Sequence, residues 1–478
     1  MGNWQNWAGN EHCQATIHDV ASTEEVVDLV AQITAQGGTI RAANGGSHPG
    51  ALESGSFSYS PIVTNDNEHI VQTAAMADVT RRPGTNLIGA GPGATTWQLS
   101  NQANEQGLSL ATTTLIPWIS VGGATAVGAN GQGWNLGTLS DQLQSIEIVT
   151  GTGHVRTYDR DVSPAGWNAA SVHLGSLGIV TNATFRAEDR FKLRSVDTIL
   201  ETDDLIDQMP SIVTDAANPY VEMSWFPFNP KAWLKVWNRV PWDTPNKGTV
   251  HGIPYDVAQK EFGSAGLDFV AEHPRLTPAF LRLIMDTVTT NGNETIAPSA
   301  EVFHWQMDYP KVWDLCYALP ITDGDFSAVQ AAWRYARTLV CDSAKPKYGN
   351  CNSIDPLDYP SDATFPQSLM LNCRFLGGSS AYLSTAPDTN EHTCYFEVTT
   401  GAANTHYAPF FEALGLKLRQ LGGRPHWGKM WGNPLTDPTV WQHWYGDRLE
   451  QFNEIRRQCD PNGIFLNDFT RMLFGESS

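Results

Sequence analysis

A short apolar run that ends in a glycine turn carrying a histidine constrains this fold more than any other feature. Residues 39–50 read TIRAANGGSHPG, and the turn consists of Asn44, Gly45, Gly46, Ser47, His48 and Pro49. Glycine accepts positive φ and leaves no side chain in the way. Successive backbone N–H groups in such a turn form a concavity that binds anions such as a pyrophosphate. The turn therefore predicts either a phosphate-binding loop with His48 at its rim or an ordinary loop with a surface histidine.

A second glycine-rich segment covers residues 117–141, and a third covers 174–178. Ordering so many glycines is costly in entropy unless the backbone must approach another group closely. The third segment leads into a strand that begins near Ile179. Three such segments along one chain favour positions where the backbone approaches another group closely.

Several shorter patterns predict local structure. Ser22 and Glu25 form a capping box before a helix that Gly37 and Gly38 end. Residues 151–153 predict a hairpin turn, and residues 223–228 with 232–237 predict a pair of aromatic strands. Strand patterns return at 368–376 and 392–399, and a helix is expected near 277–289.

A dinucleotide fingerprint at 89–94 does not indicate a nicotinamide cofactor. Gly89, Gly91 and Ala94 match it formally, but Pro92 lies inside the turn. No acidic residue follows about 20 positions later, where the ribose partner belongs. A turn that packs a helix against a sheet is the preferred interpretation.

Length and charge restrict the class of protein. A chain of 478 residues predicts two or three domains. The formal net charge of −20 argues against nucleic acid and anionic membranes as partners. No signal peptide pattern and no membrane-spanning apolar run are visible, so a cytoplasmic location is expected, with secretion as the alternative.

Seven cysteines are spread along the chain without a C-x-x-C pair, which argues against a zinc site. Cys341 and Cys351 bracket a short loop and would pair in an oxidising compartment. The preferred interpretation is that all seven are reduced, as in a cytosolic protein.

The motifs and their order resemble the vanillyl-alcohol-oxidase superfamily of FAD-linked oxidases. The opening NWQNWAGN at 3–10, PHWGK at 425–429 and DPNGIFLN at 460–467 are similar to elements of aldonolactone and alditol oxidases. The bacterial sterol oxidase with covalently bound FAD looks similar too, notably around 225–237. The resemblance implies an α+β fold with a two-part FAD-binding domain and an α+β substrate-binding domain that contains an antiparallel sheet. The implied bounds are 1–190 for the FAD domain, 191–415 for the substrate domain and 416–478 for a segment that returns to the FAD domain.

The resemblance implies FAD as the cofactor. His48 is then the candidate covalent anchor, or alternatively a histidine that only packs near the flavin ring. Besides Asn44–Pro49, the implied FAD-binding residues are Pro117, Ser120, Val121, Gly122, Gly123, Thr125, Gly128, Asn130, Gly131, Gly133, Leu139, Gly178, Ile179 and Val180.

The resemblance also implies the catalytic residues. Lys429 lies among tryptophans, which predicts a lowered pKa, with a solvated lysine as the alternative. His426 is a second candidate, or a structural histidine.

Two further catalytic candidates lie on a strand where the family carries Glu-x-Arg. Arg374 fits the family arginine, whereas Asn372 replaces the glutamate, which removes a carboxylate base. Asn467 resembles an active-site asparagine of the sterol oxidase, and a turn cap is the alternative. No metal site is expected.

The implied reaction is oxidation of a C–OH group in a small alcohol, polyol, lactone or sterol-like molecule. The hydride passes to flavin N5, and O2 is the expected second acceptor. Two alternatives stay open: a natural-product tailoring flavoenzyme that performs oxidative cyclisation or C–H or C–N oxidation, and a catalytically degenerate relative.

Overall fold

A computed structural model describes residues 2–43, 57–64, 68–248, 253–305, 309–386 and 391–476. The turn Asn44–Pro49, with the candidate anchor His48, lies outside these residues.

The described residues form strands, α-helices and short connecting segments. The strands are β1 Gly2–Gln5, β2 His12–Asp19, β3 Ile40–Ala42, β4 His69–Gln72, β5 Val79–Arg81, β6 Leu87–Ala90, β7 Leu108–Ser109, β8 Leu143–Val149, β9 Val155–Asp159, β10 Ile179–Arg186, β11 Glu188–Asp189, β12 Phe191–Glu201, β13 Tyr220–Trp225, β14 Lys231–Pro241, β15 Glu294–Pro298, β16 Val312–Ile321, β17 Leu371–Gly377, β18 His392–Gly401 and β19 Arg424–Pro425. The α-helices are α1 Thr23–Gln36, α2 Thr96–Glu105, α3 Val121–Ala126, α4 Pro164–Ala170, α5 Thr202–Thr214, α6 Ile253–Glu272, α7 Thr277–Val288, α8 Ser299–Phe303, α9 Ser327–Ala344, α10 Tyr407–Gln420, α11 Pro438–Tyr445, α12 Asp447–Cys459 and α13 Asp468–Phe474.

The N-terminal part contains two main sheets. Strands β1, β2, β4 and β3 form the first in that order, and β3 and β4 run parallel. Strands β5, β6, β10, β8 and β9 form the second, which is antiparallel. Helix α1 begins as predicted, because the Ser22 side chain accepts a hydrogen bond from the Glu25 N–H. It ends at Gly37, whose φ of 69° suits glycine.

An eight-stranded antiparallel sheet dominates the rest of the chain, in the order β15-β12-β14-β13-β17-β18-β16-β19. Helices α5, α9 and α10 pack on one face of it and share a core with Leu371, Cys373 and Phe375 of β17. Side chains alternate along a strand, so Asn372 and Arg374 lie on the opposite face. That face looks toward the N-terminal part.

The C-terminal segment belongs to both parts of the molecule. Trp427, Trp441 and Phe452 share a core with Ile88 and Ile146 of the second N-terminal sheet. Strand β19 nevertheless pairs with β16 of the large sheet. Helix α10 spans the predicted boundary at residue 415.

The predicted α+β class with an antiparallel sheet is confirmed. The hairpin of β8 and β9, the aromatic pair of β13 and β14, strands β17 and β18, and helix α7 also form where the sequence predicts them.

Three features differ from the sequence-based expectations. The second glycine-rich segment contains helix α3, which Ser120 caps. Helix α6 forms in a stretch for which no helix was predicted, since its polar and glycine residues obscure the helical period. The interpretation that all seven cysteines are reduced is wrong, because Cys341 and Cys351 form a disulfide with their Cα atoms 5.4 Å apart.

Within the described ranges, no helix combines the length and the apolar character needed to cross a bilayer.

Candidate active site

A cavity of about 780 Å³ lies between the N-terminal part and the large sheet. Its N-terminal wall includes the end of β3 and the segment around α3, and its other wall includes β16, β17, β18 and helices α6 and α7. The cavity therefore brings together the regions that the sequence assigns to cofactor and substrate.

The predicted FAD-binding residues fall into three groups. The residues from Asn44 to Pro49 lie outside the described ranges. Those that line the cavity are Ser120, Gly122, Gly123, Asn130, Gly178 and Val180. Those that do not line it are Pro117, Val121, Thr125, Gly128, Gly131, Gly133, Leu139 and Ile179.

The third group supports the wall of the cavity from behind. Val121 and Leu139 are core residues, and the Thr125 hydroxyl donates to the Val121 carbonyl at 2.8 Å. A Cβ on Gly131 would lie 2.3 Å from the Thr113 carbonyl oxygen. Glycine is required there by close packing of backbone on backbone.

Unpaired hydrogen-bond donors on the cavity wall fit FAD. Asn130 Nδ2 and Arg41 Nε are buried without an acceptor within the described part of the chain. Two histidines add a donor each. The Gly175 N–H donates to Nδ1 of His173 and the Gly428 N–H to Nδ1 of His426, which leaves the proton of each neutral ring on an unpartnered Nε2. A flavin dinucleotide, rich in carbonyl and phosphate oxygens, supplies the acceptors that such a wall lacks.

Both histidines are held neutral. Burial, together with a neighbouring cation, lowers the pKa of each ring to about 3; the cation is Arg41 for His173 and Lys429 for His426.

Arg41 is a buried cation that the sequence analysis missed. Its guanidinium donates to the carbonyls of Leu174, at 2.9 Å, Ile62 and Phe465. Burial lowers its pKa to about 10, which leaves it charged. Arg41 thus ties three segments together beside the cavity and places a positive charge three residues before the predicted phosphate turn.

Four charged side chains meet where the cavity touches the large sheet. Lys429 Nζ donates to Asp314 and, at 2.8 Å, to Glu397 Oε1. Arg374 pairs with the other oxygen of Glu397. Asp314 lies on β16, Glu397 on β18 and Arg374 on β17, and all four residues line the cavity. We refer to Asp314, Arg374, Glu397 and Lys429 as the charged cluster.

The two carboxylates of the charged cluster have pKa values shifted in opposite directions. Burial and the nearby Glu397 charge raise the pKa of Asp314 to about 7, against the opposing effect of Lys429. Burial also disfavours the charged form of Glu397, but Lys429 and Arg374 outweigh it and hold its pKa well below the usual range. Asp314 is therefore the carboxyl group that can exchange a proton near neutral pH.

The predicted lowering of the Lys429 pKa is wrong. Burial alone would lower it, but Asp314 and Glu397 together raise the pKa of Lys429 above its ordinary value. The sequence shows only the tryptophans next to Lys429. The two carboxylates that raise its pKa lie on β16 and β18, far away in the sequence.

Asn372 does not line the cavity. Its amide donates to Glu222 Oε1 at 2.5 Å and to Ser224 Oγ at 3.0 Å. Glu397 is the register partner of Asn372 on β18. The expected loss of a carboxylate base is thus wrong for the site as a whole, because Asp314 and Glu397 place carboxylates in the cavity from neighbouring strands.

Asn467 also lies away from the cavity lining. Its side-chain amide donates to the carbonyls of Pro61, Ile62 and Thr64 at 2.8–3.1 Å, and its Oδ1 accepts from the Thr470 N–H at the start of α13. The structure therefore gives Asn467 the capping role that the sequence analysis kept as an alternative.

Two acidic residues of the charged cluster were missed by sequence reasoning, although a signal exists. Asp314 and Glu397 each stand inside a run of apolar strand residues, VWDLCYALPI and HTCYFEV. Carboxylates are almost never fully buried unless they are paired. A single acid within a buried strand therefore indicates a paired functional group.

The fold, the glycine-lined wall and its unpaired donors define an FAD-linked oxidoreductase. Family models agree with this class: an FAD binding domain matches residues 15–159, and D-arabinono-1,4-lactone oxidase matches residues 183–473. The second match covers more than half of the chain, so this protein belongs to the D-arabinono-1,4-lactone oxidase family. The predicted superfamily is thereby confirmed.

Individual relatives match nearly the full length. L-gulono-1,4-lactone dehydrogenase of Mycobacterium tuberculosis is 25% identical over 99% of both chains. D-arabinono-1,4-lactone oxidase of Eremothecium gossypii is 24% identical over 97% of this chain and 93% of its own. Among solved structures, cholesterol oxidase from Brevibacterium sterolicum superposes with a TM-score of 0.78 at 17% identity, covering 99% of this chain and 96% of its own. This likeness shows the fold alone.

Proposed function

We propose that this protein oxidises the C–OH group of a small alcohol to a carbonyl, with FAD as hydride acceptor and O2 as second substrate. The charged cluster carries the proposal. It presents two fixed cations and one titratable carboxyl group at the cavity, and Asp314 Oδ1 is buried there without a hydrogen-bond partner in the described part of the chain.

The proposed chemistry divides between cofactor and protein. Bound FAD supplies a hydride acceptor for the substrate carbon. Asp314 accepts the hydroxyl proton as general base. Lys429 and Arg374 stabilise the negative charge that develops at the substrate oxygen. Glu397 orients both cations, since one of its oxygens contacts Arg374 and the other contacts Lys429.

The test is the rate of flavin reduction under anaerobic conditions. Asp314→Asn removes the base while it keeps a similar shape, and we expect a fall of about 10²- to 10⁴-fold. Asp197→Asn is the control, because Asp197 is a buried aspartate of the same sheet that does not line the cavity. Equal rates in the Asp314 and Asp197 variants would exclude Asp314 as the base.

Covalent attachment of FAD through His48 is a further part of the proposal. Its support is the place of His48 in the sequence, in a glycine-rich segment that directly follows Ala42 and Ala43, which line the cavity. After acid precipitation we expect the flavin to remain in the protein pellet and to move to the supernatant in His48→Ala. Flavin in the wild-type supernatant would show that the cofactor is held without a covalent bond.

The cytoplasmic location stays a prediction. The Cys341–Cys351 disulfide supports the alternative, an oxidising compartment.

A further inference from the structure

The lining on the substrate side of the cavity does not match the polar sugar lactones named for the relatives. We infer that the substrate is a largely apolar alcohol of ring-system size that presents a single hydroxyl group to the charged cluster. This inference rests on the proposed function and narrows it to a substrate class.

Apolar side chains form the wall beyond the charged cluster. One side is aromatic, with Phe226, Trp233 and Trp305, and helix α7 supplies the other with Phe280, Ile284 and Val288. Such surfaces bind hydrocarbon by removing it from water, and each buried methylene strengthens binding about fourfold.

Hydroxyl groups on this wall are few and their protons are already engaged, and Trp233 adds one indole N–H that is buried without an acceptor in the described part of the chain. Outside the charged cluster and His426, the polar residues that line the cavity from Phe226 onward within the described ranges are Thr287, Tyr309 and Thr399. Each hydroxyl donates to a backbone carbonyl: Thr287 to Leu283 at 2.7 Å, Tyr309 to Trp305 at 2.7 Å and Thr399 to Met370 at 3.1 Å.

A polyol or sugar lactone carries several hydroxyl groups that need partners in such a cavity. One of them can reach the charged cluster, the Trp233 N–H can serve one more, and the rest would face hydrocarbon. Each buried hydroxyl left without a partner weakens binding by about 5- to 150-fold. The wall therefore selects against these substrates and in favour of an apolar alcohol.

The mouth of the cavity is apolar as well. Phe269 of α6 is 47% exposed and Leu283 of α7 is 64% exposed, and both line the cavity. Apolar side chains that rim the opening of a cavity favour contact with an apolar ligand. Their position at the opening suits a substrate that arrives from an apolar environment.

The experiment compares three probes on the purified holoenzyme. Decahydro-2-naphthol and cyclohexanol test the effect of apolar size, and L-gulono-1,4-lactone represents the polar class. We expect anaerobic flavin reduction by decahydro-2-naphthol to be at least about tenfold more efficient than by cyclohexanol, because four added carbons are buried. We expect the lactone to be least efficient. A lactone that exceeds both alcohols would overturn the inference and leave the oxidation itself intact.

Binding of a product-like ketone tests the apolar substrate site independently of whether the protein catalyses the oxidation. Titration with 2-decalone, followed by the flavin absorbance spectrum, reports occupancy without turnover. Tight binding of the ketone with no reduction by any alcohol would contradict the proposed oxidation and support the apolar site. Failure of the ketone to bind more tightly than the lactone would overturn the apolar site.

A matched pair of leucine variants tests whether the apolar opening of the cavity contacts the substrate. Leu283→Asn places an amide at the opening, whereas Leu416→Asn makes the same change on α10, where Leu416 is 50% exposed and does not line the cavity. We expect Leu283→Asn to weaken 2-decalone binding about threefold or more and Leu416→Asn to leave it unchanged. Equal binding by the two variants would show that the mouth makes no contact with the substrate.

Discussion

At the residue scale, the charged cluster holds four ionisable side chains out of water. Buried charges are tolerated only when they are paired and hydrogen-bonded, and Glu397 meets this condition by contacting Lys429 and Arg374 with separate oxygens. Lys429 donates a hydrogen bond to one oxygen of Asp314, and the other oxygen has no hydrogen-bond partner within the described chain. The unequal pairing explains why only Asp314 titrates near neutrality.

The raised pKa of Asp314 predicts the pH dependence of flavin reduction. A general base must be ionised, so the rate should rise with pH through an apparent pKa of about 7 and then level off. Because Asp314 and Glu397 interact, this value belongs to the pair. Stopped-flow measurements from pH 5 to pH 9 test it. A rate that falls over the same range, or a profile that persists in Asp314→Asn, would contradict the assignment.

At the element scale, three neighbouring strands assemble the site by alternation. Strands β16, β18 and β17 each bury apolar side chains beneath the helices and turn Asp314, Glu397 and Arg374 to the cavity. A register slip of one residue would exchange the two faces. The extended antiparallel ladder between β16 and β18 prevents such a slip.

A second consequence at this scale concerns the cap of α13. Asn467→Ala removes the cap and the hydrogen bond to the Thr64 carbonyl, so we expect the free energy of unfolding to fall by about 2–4 kcal/mol. Asp437→Ala is the control, because Asp437 caps α11 at an exposed position, and its loss should cost about 1 kcal/mol.

Chemical denaturation measures both Asn467→Ala and Asp437→Ala. Flavin reduction in folded Asn467→Ala should match the wild type. A large loss of rate with unchanged stability would instead restore the active-site role that the sequence left open.

At the scale of the whole molecule, the chain joins a wall rich in hydrogen-bond donors to an apolar one, with the charged cluster between them. The residues of the first wall come largely from short glycine-rich segments and the strands beside them, so they could be predicted from local sequence patterns. The second wall combines Phe226, strand β14 and helices α6 and α7 with Trp305, residues 309–312 and residues 369–370. Its apolar residues look like ordinary core residues in the sequence, so the substrate class could not be predicted from them.

Local sequence patterns alone determine the helix at Ser22, the hairpin at 151–153 and the strand that precedes residues 44–49, and the order of the motifs indicates an FAD-binding domain. These features depend on backbone freedom and on spacing within a few residues. The tertiary structure alone decided which charges meet. Asp314, Glu397 and Arg374 lie 23 to 83 positions apart along the chain and become neighbours only through strand pairing. That pairing raises the pKa of Lys429 and brings two carboxylates to the site although Asn372 is neutral, because burial and charge act through space.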